Sequence, residues 1–508
     1  SSKGPTKDGR IKPDLCAPGE NILSASGTQS SEDRNCTFKP MSGTSMATPT
    51  LAGGAILLRN YFTKGFYPSG EENISDSFSP SSALLKSGLI SGAMDVGNRD
   101  FPNFSEGFGR VNLDRFCYFK RNEKDNLRSA LYDVRNYAGI KEGEEMTFSI
   151  PVKGYLKVSL VWTDPPASPI SLKTLVNDLD LKVISPTQEI YYGNNFSNGY
   201  SVPNGTPDSK NNVEMFFLEN CEEGIWKIVI VGKDIKGKSD LPYSDRQGFA
   251  LTCVKEYDES PQNIPQNFTL YDDGQNGVKV EWSFLEGADY YSIYRIEESG
   301  DNYHKQTFLG QTSQNYFFDT KVQGGFSYTY FVRGVKNGFE GESSERKTVT
   351  FTGNCKLLPY FNGIKDWQND ASTEECDVVL SWDEATSNCP LNGEISYNIY
   401  RESYPNFSPS SSNIIAKEVK NLFFKDTNIP PNSTSYYIVR SEDSTTLNSG
   451  PSNGGNEDRN TNWINATPLG NEVMIGNLFD DGGDSIALLK IEKPFTISTL
   501  QNHTPKGN

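Results

Sequence analysis

The residues best equipped for chemistry lie in one run, Met41-Ser42-Gly43-Thr44-Ser45-Met46-Ala47-Thr48-Pro49, continuing as Thr50-Leu51-Ala52-Gly53-Gly54-Ala55. The run predicts a glycine-flanked serine at the N-terminus of a helix whose first two turns are nearly all small residues. A serine so placed aims its hydroxyl into a cleft, and the first backbone N–H groups of the helix point toward developing negative charge. That suits a nucleophile in acyl transfer. The small residues predict a helix set deep in a core, close to neighbouring strands. Such a serine needs a base, and the chain has only two histidines. His304 sits in Asp301-Asn302-Tyr303-His304-Lys305 and His503 lies beside a sequon, so both read as ordinary surface residues. Two histidines also exclude a multi-histidine metal site.

The frame that must position this serine is long and mixed. At roughly 100–200 residues per domain, 508 residues imply several domains. Twenty-nine Phe, 25 Tyr and 6 Trp are enough to fill several cores, so wholesale disorder is excluded. No apolar run approaches the roughly 20 residues needed to cross a bilayer. The balance of 48 basic and 65 acidic residues gives −17, which disfavours a nucleic-acid partner. Helices are expected over the small-residue run and near Ser81–Met94. Period-two alternation predicts strands at Thr147–Pro151, Leu156–Trp162, Leu179–Ile184, Ile225–Val231 and Gly248–Val254.

The serine string resembles the nucleophile signature of subtilisin-like (S8, subtilase) serine peptidases. Ser2-x-Gly4-Pro5-Thr6-x-Asp8-Gly9-Arg10-x-Lys12-Pro13-Asp14-Leu15-x-Ala17-Pro18-Gly19 resembles the stretch that precedes it in that family. Ala83–Ala93 and Gly107–Asn112 resemble the closing helix and last strand of the same domain. The resemblance implies that Ser45 attacks the scissile carbonyl of a protein or peptide substrate. Its backbone N–H and the Thr44 hydroxyl would help hold the oxyanion, and no cofactor is needed for catalysis. The family's aspartate, histidine and oxyanion asparagine belong upstream, so this chain alone is expected to be inactive. The expectation is either a longer single chain or an N-terminal partner carrying Asp and His. A third reading is a non-catalytic adhesion protein with a decayed peptidase domain.

The expected organisation is the C-terminal part of an α/β subtilase catalytic domain at 1–118, then a jelly-roll β domain at 119–257. Two fibronectin type III-like β-sandwiches follow at 262–353 and 355–453, and 468–508 reads as the start of a further, truncated β domain. The tandem is legible as a repeat. Val278-x-Val280-x-Trp282 recurs as Val378-x-Leu380-x-Trp382, Ile293-Tyr294-Arg295 as Ile399-Tyr400-Arg401, and Val332-Arg333 as Val439-Arg440. Region 119–257 resembles the β domain that follows the catalytic domain in oxidatively stable alkaline proteases of bacilli. Its Asn177-Asp178-Leu179-Asp180 string, with Asp164, offers oxygen ligands for a structural Ca²⁺. Asp272-Asp273-Gly274 reads as an acidic turn. Cysteine pairings Cys221–Cys253 and Cys376–Cys389 are expected if the compartment oxidises. The whole reads as a secreted or extracellular protein, and ten Asn-x-Ser/Thr sequons are present.

Overall fold

The computed structural model describes residues 2–26, 37–97, 100–120, 126–236, 245–256, 263–297, 304–369, 377–390, 394–429, 433–444 and 450–468. The chain divides into two compact units, Ser1–Val322 with Ser327–Phe351, and Gln323–Phe326 with Thr352–Asn508. Of the truncated β domain expected at 468–508, all but residue 468 lies outside the described residues.

The first unit opens with an antiparallel strand pair, β1 (Ile22–Ala25) and β2 (Phe38–Met41), and two helices, α1 (Thr44–Thr63) and α2 (Ser82–Gly92). The expected deep setting of the small-residue turns is not what the structure has. The buried residues of α1 are Leu58, Tyr61, Phe62 and Thr63, all near its C-terminal end. Ile56 and Leu57 are 67 % and 61 % exposed. Among the described residues no sheet covers this part of the helix, and Leu23, Phe38 and Met41 of the strand pair are exposed as well. Helix α2 behaves differently. Ser81 caps it, its hydroxyl accepting from the Leu84 N–H at 2.9 Å, and Leu84, Ser87, Leu89 and Ile90 bury against the sheet that follows. Ser87 Oγ donates to the Ser159 carbonyl at 2.8 Å. Lys157 Nζ donates at 2.7 Å to the Ala93 carbonyl at the helix C-terminus, where the dipole favours a cation.

That sheet has seven antiparallel strands: β3 (Leu127–Val134), β4 (Glu145–Val161), β5 (Asn177–Ile184), β6 (Ile190–Ser197), β7 (Tyr200–Pro203), β8 (Val213–Ile235) and β9 (Phe249–Glu256). Their order is β3-β9-β4-β8-β5-β6-β7. The strands expected at Thr147–Pro151 and Leu156–Trp162 are one strand whose register shifts on either side of Gly154; that irregularity hides the continuity from the alternation pattern. Because β4 lies between β8 and β9, Cys221 pairs with Gly154 on one side and Cys253 with Val158 on the other. Two strand spacings, about 10 Å, exceed a disulfide's reach. Both cysteines are free and buried, which corrects the expected pairing.

The first unit continues with β10 (Thr269–Asp272), β11 (Val278–Glu281), β12 (Tyr290–Glu297), β13 (Lys305–Thr312), β14 (Tyr316–Asp319), β15 (Ser327–Lys336), β16 (Phe339–Ser343) and β17 (Lys347–Thr350). They form a sheet β10-β11-β14 and a sheet β13-β12-β15-β16 in which β17 also pairs β15. The second unit repeats the plan with β18 (Ile364–Asn369), β19 (Val378–Trp382), β20 (Ser396–Glu402), β21 (Ile414–Val419), β22 (Phe423–Asp426), β23 (Ser435–Glu442) and β24 (Trp463–Ala466), in sheets β18-β19-β22 and β21-β20-β23-β24. The repeated residues do repeated work. Trp282 packs on Tyr291 and Trp382 on Tyr397, and the two tyrosine hydroxyls accept from the N–H of Leu285 and Ala385. Arg295 pairs with Asp319, and Arg401 with Asp426, each at 2.6 Å.

Cys389 bonds to Cys355, not to Cys376, which lies outside the described residues. The reason is local. Asn388 Nδ2 donates to the Leu358 carbonyl at 2.7 Å and a bridge joins Tyr360 to Thr386, so the segment before β18 is held against the Cys389 loop.

Candidate active site

Gly43 precedes α1 with φ 154° and ψ 170°, a conformation open to glycine but rarely to L side chains. Its N–H donates to the Gly19 carbonyl at 2.8 Å, while the Asn21 N–H donates to Ser42 Oγ at 2.8 Å. A Cβ on Gly19 would lie 2.8 Å from the Gly43 oxygen and 2.9 Å from the Ala47 Cβ. The Pro18-Gly19 turn is therefore pressed against the turn that presents Ser45. Cys16 in turn bonds backbone to backbone with Gly109 and Val111, at 3.0 Å each. Three segments separated in sequence, 16–21, 42–47 and 109–111, thus form one support.

Thr44 and Ser45 are the first two residues of α1, and both are exposed. The N–H groups of Met46 and Ala47 fold back on the Gly43 carbonyl at 3.0 and 3.2 Å. Those of the first helical residues have no intrahelical acceptor. Pro49 has no N–H to offer the Ser45 carbonyl four residues earlier. The turn thus offers a hydroxyl with adjacent amide donors, the elements of an acyl-transfer nucleophile and part of an oxyanion hole. His304 is exposed and its carbonyl accepts from the Ser79 N–H at 2.9 Å; His503 lies outside the described residues. Among the described residues no imidazole bonds to Ser45.

The acidic candidates fall into two places. Both oxygens of Asp164 accept at 2.8 Å from backbone N–H groups, those of Val176 and Asn177. Asp178 and Asp180 share one face of β5, next to the register shift between β5 and β8. Glu214 on β8 faces the same group: its Oε2 accepts from the Leu181 N–H at 2.8 Å, and its Oε1 is buried without a partner, as is Asp178 Oδ1. Burial, reinforced by neighbouring carboxylates, pushes Asp180 up to about 6 and Glu214 well above the ordinary glutamate range. Burial raises Asp164 and Asp178 too. Nothing in the sequence singles out Glu214; its place beside Asp180 comes from the fold, which carries its carboxylate to the Leu181 N–H. Among the described residues, the one acidic trio whose ligand atoms lie within 4.8 Å of one another is Asp95, Asp100 and Glu106. At Asp272-Asp273-Gly274, Asp273 Oδ1 accepts from the N–H groups of Gln275, Asn276 and Gly277, an Asx-type turn.

Comparison with known proteins points to serine peptidases at the level of the family. "Serine protease/ABC transporter B family protein tagA" of Dictyostelium discoideum is 32% identical over 251 residues, which are 46% of this chain and 14% of that protein. Its homologue tagD is 29% identical over 56% of this chain and 17% of its own length. "Subtilisin-like protease SBT3.10" of Arabidopsis thaliana is 37% identical over 120 residues, 23% of this chain and 14% of that protein. The chain thus spans about one sixth or less of the length of these relatives. A structure of the chicken CNTN1 FN1-FN3 domains aligns with 64% of this chain and 97% of its own at 10% identity, but its TM-score of 0.17 carries no argument. The 46% of this chain shared with the first relative is more than residues 1–109 alone can supply. Residues 1–109, which present Ser45, match the subtilase family, Peptidase S8.

Proposed function

We propose that this chain is part of a secreted subtilisin-like serine endopeptidase in which Ser45 forms the acyl-enzyme on protein or peptide substrates. The observation that carries the reading is the turn Ser42–Ala47: a serine at a helix start, beside free amide donors, on a glycine conformation that the Gly19 contact holds. In this reading the Ser45 N–H and the Thr44 hydroxyl hold the oxyanion, and the catalytic Asp and His come from a segment other than these residues. The exposed Leu23, Phe38, Met41, Ile56 and Leu57 around the serine support such a segment, because exposed apolar surface is a surface to be covered. A structural cation held by Asp178 and Asp180, with Glu214 behind them, is part of the proposal. The buried, unpartnered oxygens of Asp178 and Glu214 support it.

The test is a fluorophosphonate probe on the protein purified from its source, followed by intact mass and peptide mapping. The expected result is fluoride displaced by Ser45 Oγ and a label on that residue alone, lost in Ser45→Ala. The chain of 508 residues by itself should not label. A natural protein that takes no label supports a binding or adhesion role instead.

A further inference from the structure

We propose that Asn204, Asn406 and Asn465 carry N-linked oligosaccharides, and that Asn103 and Asn195, equally good sequons, do not. An amide nitrogen has two hydrogens, and attachment consumes one. At Asn103 both are spent, on Asp100 at 3.1 Å and Glu106 at 2.9 Å. At Asn195 the nitrogen donates to the carbonyls of Tyr192, Gly193 and Thr206, and its Oδ1 accepts from the Thr206 N–H, so the amide closes its own loop. A sugar on either would break the loop it holds together. Asn73 and Asn267 spend one hydrogen each, on Asp76 and Ser283, and do not discriminate.

The other three are exposed. Asn204 and Asn406 sit at positive φ, 59° and 58°, in turns. Beside Asn406, Phe407 is buried in a small core with Tyr400 and Ile438, anchoring the loop. Asn406 Oδ1 accepts from Trp463 Nε1 at 2.9 Å, which fixes the amide and leaves its nitrogen toward solvent beside a half-exposed indole. Asn465 alternates outward on β24, an edge strand of its sheet. The Cys355–Cys389 disulfide supports passage through an oxidising compartment, where such transfer occurs. In that step Nδ2 bonds to C1 of an oligosaccharide carried on a lipid pyrophosphate, the C1–O bond breaks, and the amide proton leaves with the lipid pyrophosphate.

The test uses the full protein from its source, digested and treated with peptide N-glycosidase in heavy-oxygen water, so that each glycan-bearing Asn becomes a heavy Asp. The expected result is heavy Asp at positions 204, 406 and 465 and unchanged Asn at 103 and 195. Asn406→Gln should remove one glycan from the intact mass with the fold retained. A heavy label at 103 or 195, or its absence at any of the other three, overturns the assignment. This outcome is independent of whether Ser45 takes the fluorophosphonate.

Discussion

The two β-sandwich repeats share a skeleton and use it differently. In the first, Arg333 reaches out of its own repeat and pairs with Asp76 of the peptidase segment at 2.5 Å, both side chains no more than 3 % exposed. Glu340 joins them, accepting from Tyr294 at 2.5 Å and from Tyr67 of the peptidase segment at 3.3 Å. Phe308 packs on Tyr132 and Phe148 of the seven-stranded sheet. In the second repeat the corresponding Arg440 pairs with Glu457, and the corresponding Tyr400 donates to the same Glu457 at 2.6 Å. There both ion-pair partners remain about 15 % exposed and lie within the second unit. The equivalent aromatic face is covered by the repeat's own Phe407 loop. One arrangement thus serves to join a module to its neighbours, or to close a module on itself. Which occurs depends on whether the covering residues come from elsewhere in the chain or from a longer local loop.

The sharpest way to break this comparison is to remove each arginine. Arg333→Met strands Asp76 and Glu340 in the interior and should cost roughly 3–5 kcal/mol. Arg440→Met, at a wetter pair, should cost about 1 kcal/mol. Hydrogen-exchange protection, read separately over 263–351 and 355–468, reports both. Equal losses would refute the distinction. Next in size is reduction of Cys355–Cys389, which closes 34 residues and should cost the second unit roughly 3–4 kcal/mol on a chain-entropy basis. The first unit, whose described cysteines Cys16, Cys117, Cys221 and Cys253 are free, should keep its protection under the same reductant.

Asp180 adds a pH slope in the first unit. Asp180 is raised from 3.8 to about 6, so its folded state holds a proton that the unfolded chain has already lost. Stability should therefore fall as pH rises from about 4 to about 6, and Asp180→Asn should flatten that slope. Calcium added above pH 6 should restore the loss if Asp178 and Asp180 hold the cation. A melting temperature indifferent to both calcium and chelator would remove the cation from the proposal.

Much of the site was legible because its chemistry is local. Gly43, Ser45 and Pro49 fall within seven residues, and helix initiation follows from their order. The Gly19 contact was readable only as a resemblance, because nothing in a glycine's identity says which distant oxygen approaches it. The strand alternation found β5, β8 and β9, yet the expected Cys221–Cys253 pairing would need β8 and β9 side by side. Alternation reports which face a residue takes and not which strand is its neighbour, so the insertion of β4 and the failure of Cys221–Cys253 were invisible. The depth of α1 was misread for a related reason. Small residues permit close packing, but a helix buries only where another element meets it.

By itself the sequence determined the likeness to subtilases around Ser45, the tandem repeat and the scarcity of histidine, since these rest on residue identity and short spacing. Only the tertiary structure decided that Arg333 is a joint while Arg440 is not, that Glu214 stands beside Asp180, and that Asn406 offers a free amide nitrogen where Asn195 does not. Those distinctions depend on which partner reaches a buried polar group. In a low-dielectric interior, that choice sets the energy far more than the identity of the group itself.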